Sequence, residues 1–102
     1  MAKVRFEVGP CDDDAFLWLD GSKVVALKLG ESRAFTRDLA DGDHSVRFIV
    51  VNGGAWAWRA VLSIKVGSHT LVEVDQSGNT GPAAPQVFNQ RWDFEVKGSE
   101  LA

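Results

Sequence analysis

The chain has 102 residues, of which 45% are hydrophobic and 25% charged, and its formal net charge is −3 at pH 7. This length suits one small domain and this composition is that of a globular protein, so we expect a single domain spanning residues 1–102. Charges of both signs are interspersed, and no apolar run approaches the ~20 residues of a membrane-spanning helix. The sequence therefore predicts neither nucleic-acid binding nor membrane insertion.

The first residues and the cysteine content bear on the cellular compartment. The segment Met1–Glu7 has no apolar stretch of the kind that a signal peptide needs. This predicts a cytoplasmic protein, or a protein of the cell envelope if a leader precedes the sequence. Cys11 has no second cysteine to pair with, which excludes an internal disulfide and a zinc site built on paired cysteines.

The first predicted strand runs from Lys3 to Val8. Val4, Phe6 and Val8 alternate with charged residues, and successive side chains of a strand point to opposite faces. The three apolar side chains therefore share one buried face of a half-buried strand.

A hairpin is predicted over residues 15–29. Asp20-Gly21 is one of the strongest short turn signals, because both central residues of a type I′ turn need a positive φ. A two-residue turn at this point places Trp18 beside Lys23.

The same turn places Phe16 beside Val25, but it does not decide which face of the hairpin is buried. One face carries Phe16 and Trp18, and the other carries Leu17 and Leu19. Both faces are apolar enough to be buried, so the pattern leaves the choice open.

The segment Arg33–Leu39 is predicted to be an edge strand. Arg33, Arg37 and Asp38 place charges along it, and charge on an edge discourages unwanted pairing with another strand.

Two longer strands before and after residues 52–54 predict a central hairpin. A two-residue loop would place Phe48 beside Ala57, which sets the apolar face of one strand beside the polar face of the other. A three-residue loop, Asn52-Gly53-Gly54, instead pairs Phe48 with Trp58. We favour the three-residue loop because a slip of one residue turns every side chain to the other face.

The register of the next strand, Thr70–Asp75, is ambiguous because Leu71 is out of phase with Val72 and Val74. The segment Gln76–Pro85 is rich in Gly, Pro and small residues, which predicts a mobile loop.

The last strand, Gln86–Lys97, has a clear alternation with these residues facing inward: Phe88, Trp92, Phe94 and Val96. In total, about seven to eight short and mostly antiparallel strands are predicted, without helical periodicity. This pattern is typical of an all-β protein, and we expect a single-domain β-sandwich of the immunoglobulin-like kind.

Three segments of the chain resemble the PEGA domain and related small bacterial β-sandwich modules. They are Ala15-Phe-Leu-Trp-Leu-Asp-Gly21, Leu39-Ala-Asp-Gly-Asp-His-Ser-Val46, and Ile64-Lys-Val-Gly67 followed by Thr70–Val74. The resemblance covers roughly residues 15–75 and leaves out the first and last strands.

The resemblance implies a sandwich that serves as an accessory or adhesion module, often in the cell envelope, and has no catalytic residues. It also implies that Leu17 and Leu19 point inward, which leaves Phe16 and Trp18 on the outer surface.

The four tryptophans are the most unusual feature of the composition. We predict that Trp58 and Trp92 lie in the core, and that Phe16, Trp18 and Trp56 form an exposed interaction surface. Exposed aromatic side chains of this kind contact partner proteins or stack on sugar rings.

The sequence carries no motif that predicts catalysis. The run Asp12–Asp14 offers oxygen ligands that suit calcium, but it lacks the spaced pattern of a calcium loop, so a solvated loop is the alternative. His44 has no nucleophile motif beside it and is predicted to be a satisfied histidine at the start of a strand. We therefore expect no metal site, no cofactor and no enzymatic activity.

Two functions are compatible with these features. The first is a non-catalytic module that binds a protein partner or a second copy of itself, for example as a homodimer, through an edge strand or an exposed aromatic and aliphatic sheet face. The second is a carbohydrate-binding β-sandwich module that uses exposed tryptophans.

Overall fold

Alternating buried and exposed side chains run along eight β-strands of the computed structural model, which describes residues 2–11, 14–28, 30–52, 57–79 and 84–97. The strands are β1 (Ala2–Val8), β2 (Asp14–Leu19), β3 (Ser22–Leu27), β4 (Arg33–Leu39), β5 (Gly42–Asn52), β6 (Ala57–Val66), β7 (His69–Asn79) and β8 (Ala84–Val96). No residue within these described ranges is helical.

The strands form two four-stranded sheets. The first sheet has the order β4–β1–β6–β7 and the second the order β3–β2–β5–β8, with every neighbouring pair antiparallel. One cluster of buried apolar side chains from both sheets lies between them. The prediction of an all-β sandwich is therefore confirmed.

The hairpins β2–β3 and β6–β7 each stay within one sheet. Every other connection between consecutive described strands passes from one sheet to the other. This two-layer architecture is shared with the immunoglobulin fold, whose strand order, ABED and CFG, is different.

The core draws its largest side chains from both sheets. Those that are almost fully buried are Val4, Phe6, Val8, Leu17, Val25, Val46, Phe48, Val50, Leu62, Ile64 and Val96. The inward face predicted for β1 is thus confirmed. The edge position predicted for β4 is also confirmed, since it pairs only with β1 among the described strands.

The predicted central hairpin is wrong, because β5 and β6 belong to different sheets. Phe48 lies opposite Leu17 of β2 and Gln90 of β8, and not opposite Trp58. Two strands can bury their apolar faces whether they pair in one hairpin or lie in opposite sheets. The alternation of apolar residues therefore did not distinguish the two arrangements. Residues 53–56, which include most of the predicted loop, lie outside the described residues.

The turn between β2 and β3 has the predicted geometry. Asp20 and Gly21 both have a positive φ, 49° and 84°, as a type I′ turn requires. Trp18 lies opposite Lys23, which confirms the predicted pair.

Beyond that pair, a β-bulge shifts the register of β2 and β3. Leu17 lies opposite Val25 and Phe16 opposite Ala26, so the predicted pairing of Phe16 with Val25 is wrong. A bulge inserts one extra residue into one strand, which here carries Val25 onto the inward face with Leu17.

A second bulge explains the ambiguous pattern of β7. Ile64 lies opposite Val72, whereas the next residue of β6, Lys65, lies opposite Thr70. Leu71 is the additional residue and is only half-buried, while Val72 is buried in the core.

The segment predicted as a loop from Gln76 to Pro85 is shorter than expected. β7 continues to Asn79, where its last residues pair with the start of β6, and β8 begins at Ala84. The predicted ends of the loop are therefore wrong. Residues 80–83 lie outside the described residues.

The tryptophans predicted to fill the core lie at its margin. Trp92 faces inward as predicted, but it is half-buried because β8 is an edge strand of the second sheet. Its ring stacks 6.2 Å from that of Phe88. Trp58 is half-buried over Gly78 of β7, where a Cβ would lie 2.7 Å from the indole nitrogen.

Candidate functional site

The outer faces of the two sheets differ in chemistry. Over residues 3–7 of β1 and 59–65 of β6, the central strands of the first sheet, the outward positions hold half-buried Val61 and otherwise polar or charged residues: Lys3, Arg5, Glu7, Arg59, Ser63 and Lys65. On the central strands of the second sheet, the outward positions include half-buried Phe16, Trp18, Ile49 and Val51. We call these four residues the aromatic face.

The aromatic face follows from the alternation of β2 and β5. Ala15, Leu17 and Leu19 occupy the core, so Phe16 and Trp18 between them must point away from it. This is the orientation that the resemblance implies.

Strand pairing brings three cations onto the same surface. Lys23 lies opposite Trp18, Trp18 opposite Arg47, and Arg47 opposite Arg91. These pairs form a line that crosses β3, β2, β5 and β8 at right angles to the strands. We call Lys23, Arg47 and Arg91 the cationic row.

Side-chain contacts tie the cationic row to the aromatic face. The Nζ atom of Lys23 lies 5.8 Å from the centroid of the Phe16 ring, and the Phe16 and Trp18 ring centroids are 6.0 Å apart with an interplanar angle of 41°. Arg47 donates a hydrogen bond of 2.7 Å from Nη1 to Oδ1 of Asn89.

An open cavity of about 280 Å³ lies over this surface. Its lining residues include Trp18, Ile49, Arg47 and Arg91, and it extends to Gly21 and Ser45 near the turn between β2 and β3. An apolar floor flanked by cations is therefore accessible to a ligand at the centre of the sheet.

The two arginines of the cationic row are arranged unfavourably for the isolated protein. Arg47 and Arg91 lie directly opposite each other on one face, and like charges in this position repel. Arg91 forms an ion pair of 3.1 Å with Asp93. Among the described residues, no ion pair is seen for Arg47, whose partner is the uncharged Asn89.

The structure brings together two of the three predicted surface residues. Phe16 and Trp18 lie side by side on the aromatic face, whereas Trp56 lies outside the described residues. The cationic row was not predicted. The alternation of β5 predicts that Arg47 points outward. Its neighbours Trp18 and Arg91, however, come from strands about 30 and 40 residues away in the sequence, and the local pattern carries no signal for such pairing.

A second polar cluster lies beside the aromatic face and holds His44 between two acceptors. The ring donates through Nδ1 to Oδ2 of Asp20 and through Nε2 to the carbonyl of Ala40, at 2.7 Å in both cases. The other oxygen of Asp20 accepts from the amide of Ser45 at 2.8 Å. His44 also stacks on Phe94 with centroids 5.8 Å apart. The predicted satisfied histidine is confirmed.

Both ring nitrogens of His44 face acceptors, which favours the doubly protonated ring. The hydrogen bonds to the Ala40 carbonyl and the Asp20 carboxylate raise the pKa of His44, although burial opposes them. Burial acts to raise the pKa of Asp20, but the hydrogen bonds from His44 and Ser45 outweigh it and the pKa is lowered.

The remaining candidates for chemistry are Cys11 and the acidic run at residues 12–14. Burial raises the pKa of the Cys11 thiol, which is 3% exposed and lies 3.8 Å from the carbonyl oxygen of Val61. Asp12 and Asp13 of the acidic run, for which the sequence does not predict a metal site, lie outside the described residues. Within the described part of the chain, no group of three or more His, Cys, Asp or Glu residues could hold a metal ion.

The described residues contain no helix that is long and apolar enough to cross a membrane. Comparison with protein-family models, with curated proteins and with solved structures gave no match for this chain.

Proposed function

We propose that the protein is a non-catalytic module that binds a protein partner through the aromatic face. The observation that carries this proposal is the placement of Phe16, Trp18 and Ile49 on the outer surface of two central strands, apart from the core. A cluster of large apolar side chains at such a position marks an interaction site in most proteins.

The chemistry of the described polar groups supports a non-catalytic role. His44 is engaged at both nitrogens, which leaves no free ring nitrogen to act as a base. The Cys11 thiol is buried, and its raised pKa disfavours the reactive thiolate. The accessory function implied by the resemblance to the PEGA domain agrees with this proposal.

Binding through the face has more support than binding through an edge strand. Charged side chains occupy the edge strand β4 at Arg33, Arg37 and Asp38, and charge on an edge opposes the addition of another strand. The edge strands β3 and β7 are each interrupted by a bulge, which has the same effect. The edge strand β8 carries Arg91, Asp93 and Glu95. The aromatic face has no such obstacle.

A carbohydrate ligand has less support. Trp18 is the one tryptophan that the described residues place on the aromatic face, and its ring is tilted by 41° to that of Phe16. A platform of two coplanar rings, on which successive sugar rings could stack, is therefore not formed by this pair.

Selection from a phage-displayed library of random peptides tests the proposal. We expect peptides that bind the wild-type protein and lose most of their affinity for Trp18→Thr, since threonine preserves the strand but removes the contact area of the indole. Val61→Thr is the matched control, because Val61 is a half-buried outward residue on a central strand of the other sheet.

Peptides that bind wild type and Trp18→Thr equally well would overturn the proposal, as would a library that yields no binder at all. Sedimentation of the wild type and Trp18→Thr separates one further outcome. A dimer that dissociates in the variant would show that the face binds a second copy of the chain.

A further inference from the structure

We propose that the partner segment bound by the aromatic face is acidic, with carboxylates that pair with Arg47 and Arg91 and an apolar side chain that packs on Trp18 and Ile49. This inference rests on the proposed function and adds the chemistry of the partner.

The first argument is the concentration of cations at the site. The whole chain has a net charge of −3, yet its aromatic face is crossed by Lys23, Arg47 and Arg91. The repulsion between Arg47 and Arg91 is relieved when an anion binds between them. A guanidinium group also binds a carboxylate through two parallel hydrogen bonds.

The second argument is the geometry of the row. Neighbouring strands are ~4.8 Å apart, so Arg47 and Arg91 are separated by about that distance at their backbones. Alternate side chains of an extended peptide lie on one side at a spacing of ~6.6 Å. Two carboxylates at alternate positions therefore reach the two flexible arginines, while the side chains of Trp18 and Ile49 provide the apolar floor.

The third argument is the position of the acidic residues around the row. Asp14 lies on the outer surface at one end of β2 and β5, beside Val51. At the other end, Asp43 and Asp93 line a second open cavity of about 430 Å³. A long polyanion that follows the strands would meet Asp14 at one end and Asp43 at the other. A short acidic peptide that crosses the strands along the cationic row meets only Asp93, whose charge is already paired with Arg91. This favours an acidic protein segment over a nucleic acid or an acidic polysaccharide.

The test uses the peptides that the phage library yields as binders dependent on Trp18. We expect these peptides to be enriched in Asp and Glu relative to the unselected library. In fluorescence anisotropy, replacing Asp and Glu of the tightest peptide by Asn and Gln should weaken binding to the wild type about tenfold. The same replacement should have a clearly smaller effect on binding to Arg47→Gln, because only Arg91 of the two arginines remains for the carboxylates to contact.

Two variants make the result specific to the cationic row. Lys65→Gln removes an outward cation from a central strand of the first sheet, and it should retain the preference for the acidic peptide. Arg47→Lys keeps the charge without the forked geometry, and it should retain part of the preference. Circular dichroism establishes that each variant is folded before its affinity is measured.

Three results would overturn the inference. Trp18-dependent peptides that are neutral or basic would do so while leaving the proposed function intact. Tighter Trp18-dependent binding of oligothymidylate or polygalacturonate than of any peptide would assign the row to a polyanion. A dimer that dissociates in Arg47→Gln would assign it to a second copy of this chain.

Discussion

His44 illustrates how one residue connects three segments of the chain. It lies near the start of β5, bonds to Asp20 in the turn after β2, and bonds to the carbonyl of Ala40 after β4. Asp20 forms two hydrogen bonds with the backbone of Ser45. The amide of Asp20 donates to the Ser45 carbonyl, and the Asp20 carboxylate accepts from the Ser45 amide. The charged groups nearest to this histidine, Asp20 and Asp43, both favour the protonated ring.

The hydrogen bonds of His44 predict that stability falls as the pH rises above the ordinary histidine pKa of 6.5. The pKa of His44 is raised above its ordinary value of 6.5 in the folded protein. Its stabilisation is therefore complete below the pKa of the unfolded chain and is lost as the pH rises through the higher folded pKa. Urea unfolding from pH 5.5 to 8, below the range in which the buried Cys11 thiol contributes, should show this decrease in the free energy of unfolding.

Two variants check the origin of the pH dependence. His44→Gln should remove it in this range, because glutamine retains a hydrogen-bond donor but does not titrate. His69→Gln changes the exposed second histidine and should keep the wild-type slope. A slope that persists in His44→Gln would contradict the prediction.

At the scale of elements, the connections between the sheets depend on close backbone contacts. Gly9, between β1 and β2, donates a hydrogen bond of 2.9 Å to the carbonyl of Val61 and has φ +87°. A Cβ at this position would lie 2.5 Å from the carbonyl oxygen of Glu31 and 3.1 Å from the Cα of Ser32, in the connection between β3 and β4. The two connections can approach this closely only because residue 9 has no side chain.

We expect Gly9→Ala to destabilise the protein by about 3 kcal/mol or more, since backbone strain and overpacking add together. Gly30→Ala is the matched control. Gly30 has a similar φ of +78° but no described atom within 4 Å of its Cβ position, so its cost should be about 1 kcal/mol. Equal losses in urea unfolding would show that the contact with Glu31 contributes nothing.

At the scale of the whole molecule, the inner and outer faces of the second sheet have separate roles. Phe48 on the inner face is fully buried against Phe88, with ring centroids 5.7 Å apart. Trp18, on the neighbouring strand, is half-buried on the outer face and lies outside the core cluster.

A substitution on the inner face should therefore lower stability, whereas a substitution on the outer face should mainly weaken peptide binding. Phe48→Ala should lower the free energy of unfolding by about 3–5 kcal/mol, because it leaves a cavity in the core. Trp18→Thr should lower it by about 1 kcal/mol or less, as is usual for surface substitutions, while abolishing peptide binding. Thermal unfolding of both variants provides the measurement, and a large loss in Trp18→Thr would show that the indole belongs to the core.

Turns and inward residues could be predicted from local pattern because both depend on neighbouring residues. The turn at Asp20-Gly21 follows from the positive φ that these residues accept. The buried face of β1 follows from strict alternation. At the bulges of β3 and β7 the alternation fails by one residue, so the partner of Phe16 was predicted wrongly and the register at Leu71 stayed ambiguous.

The amino-acid sequence by itself determined the all-β class and most of the inward side chains. It also determined that Phe16 and Trp18 lie on the same face of β2. Only the tertiary structure decided which strands are neighbours, and it placed Arg47 between Trp18 and Arg91 instead of forming the expected hairpin. The physical reason is that an apolar face specifies burial but not the strand beside it. Partner choice depends on how the connections cross between the two sheets, and the candidate site is a consequence of that choice.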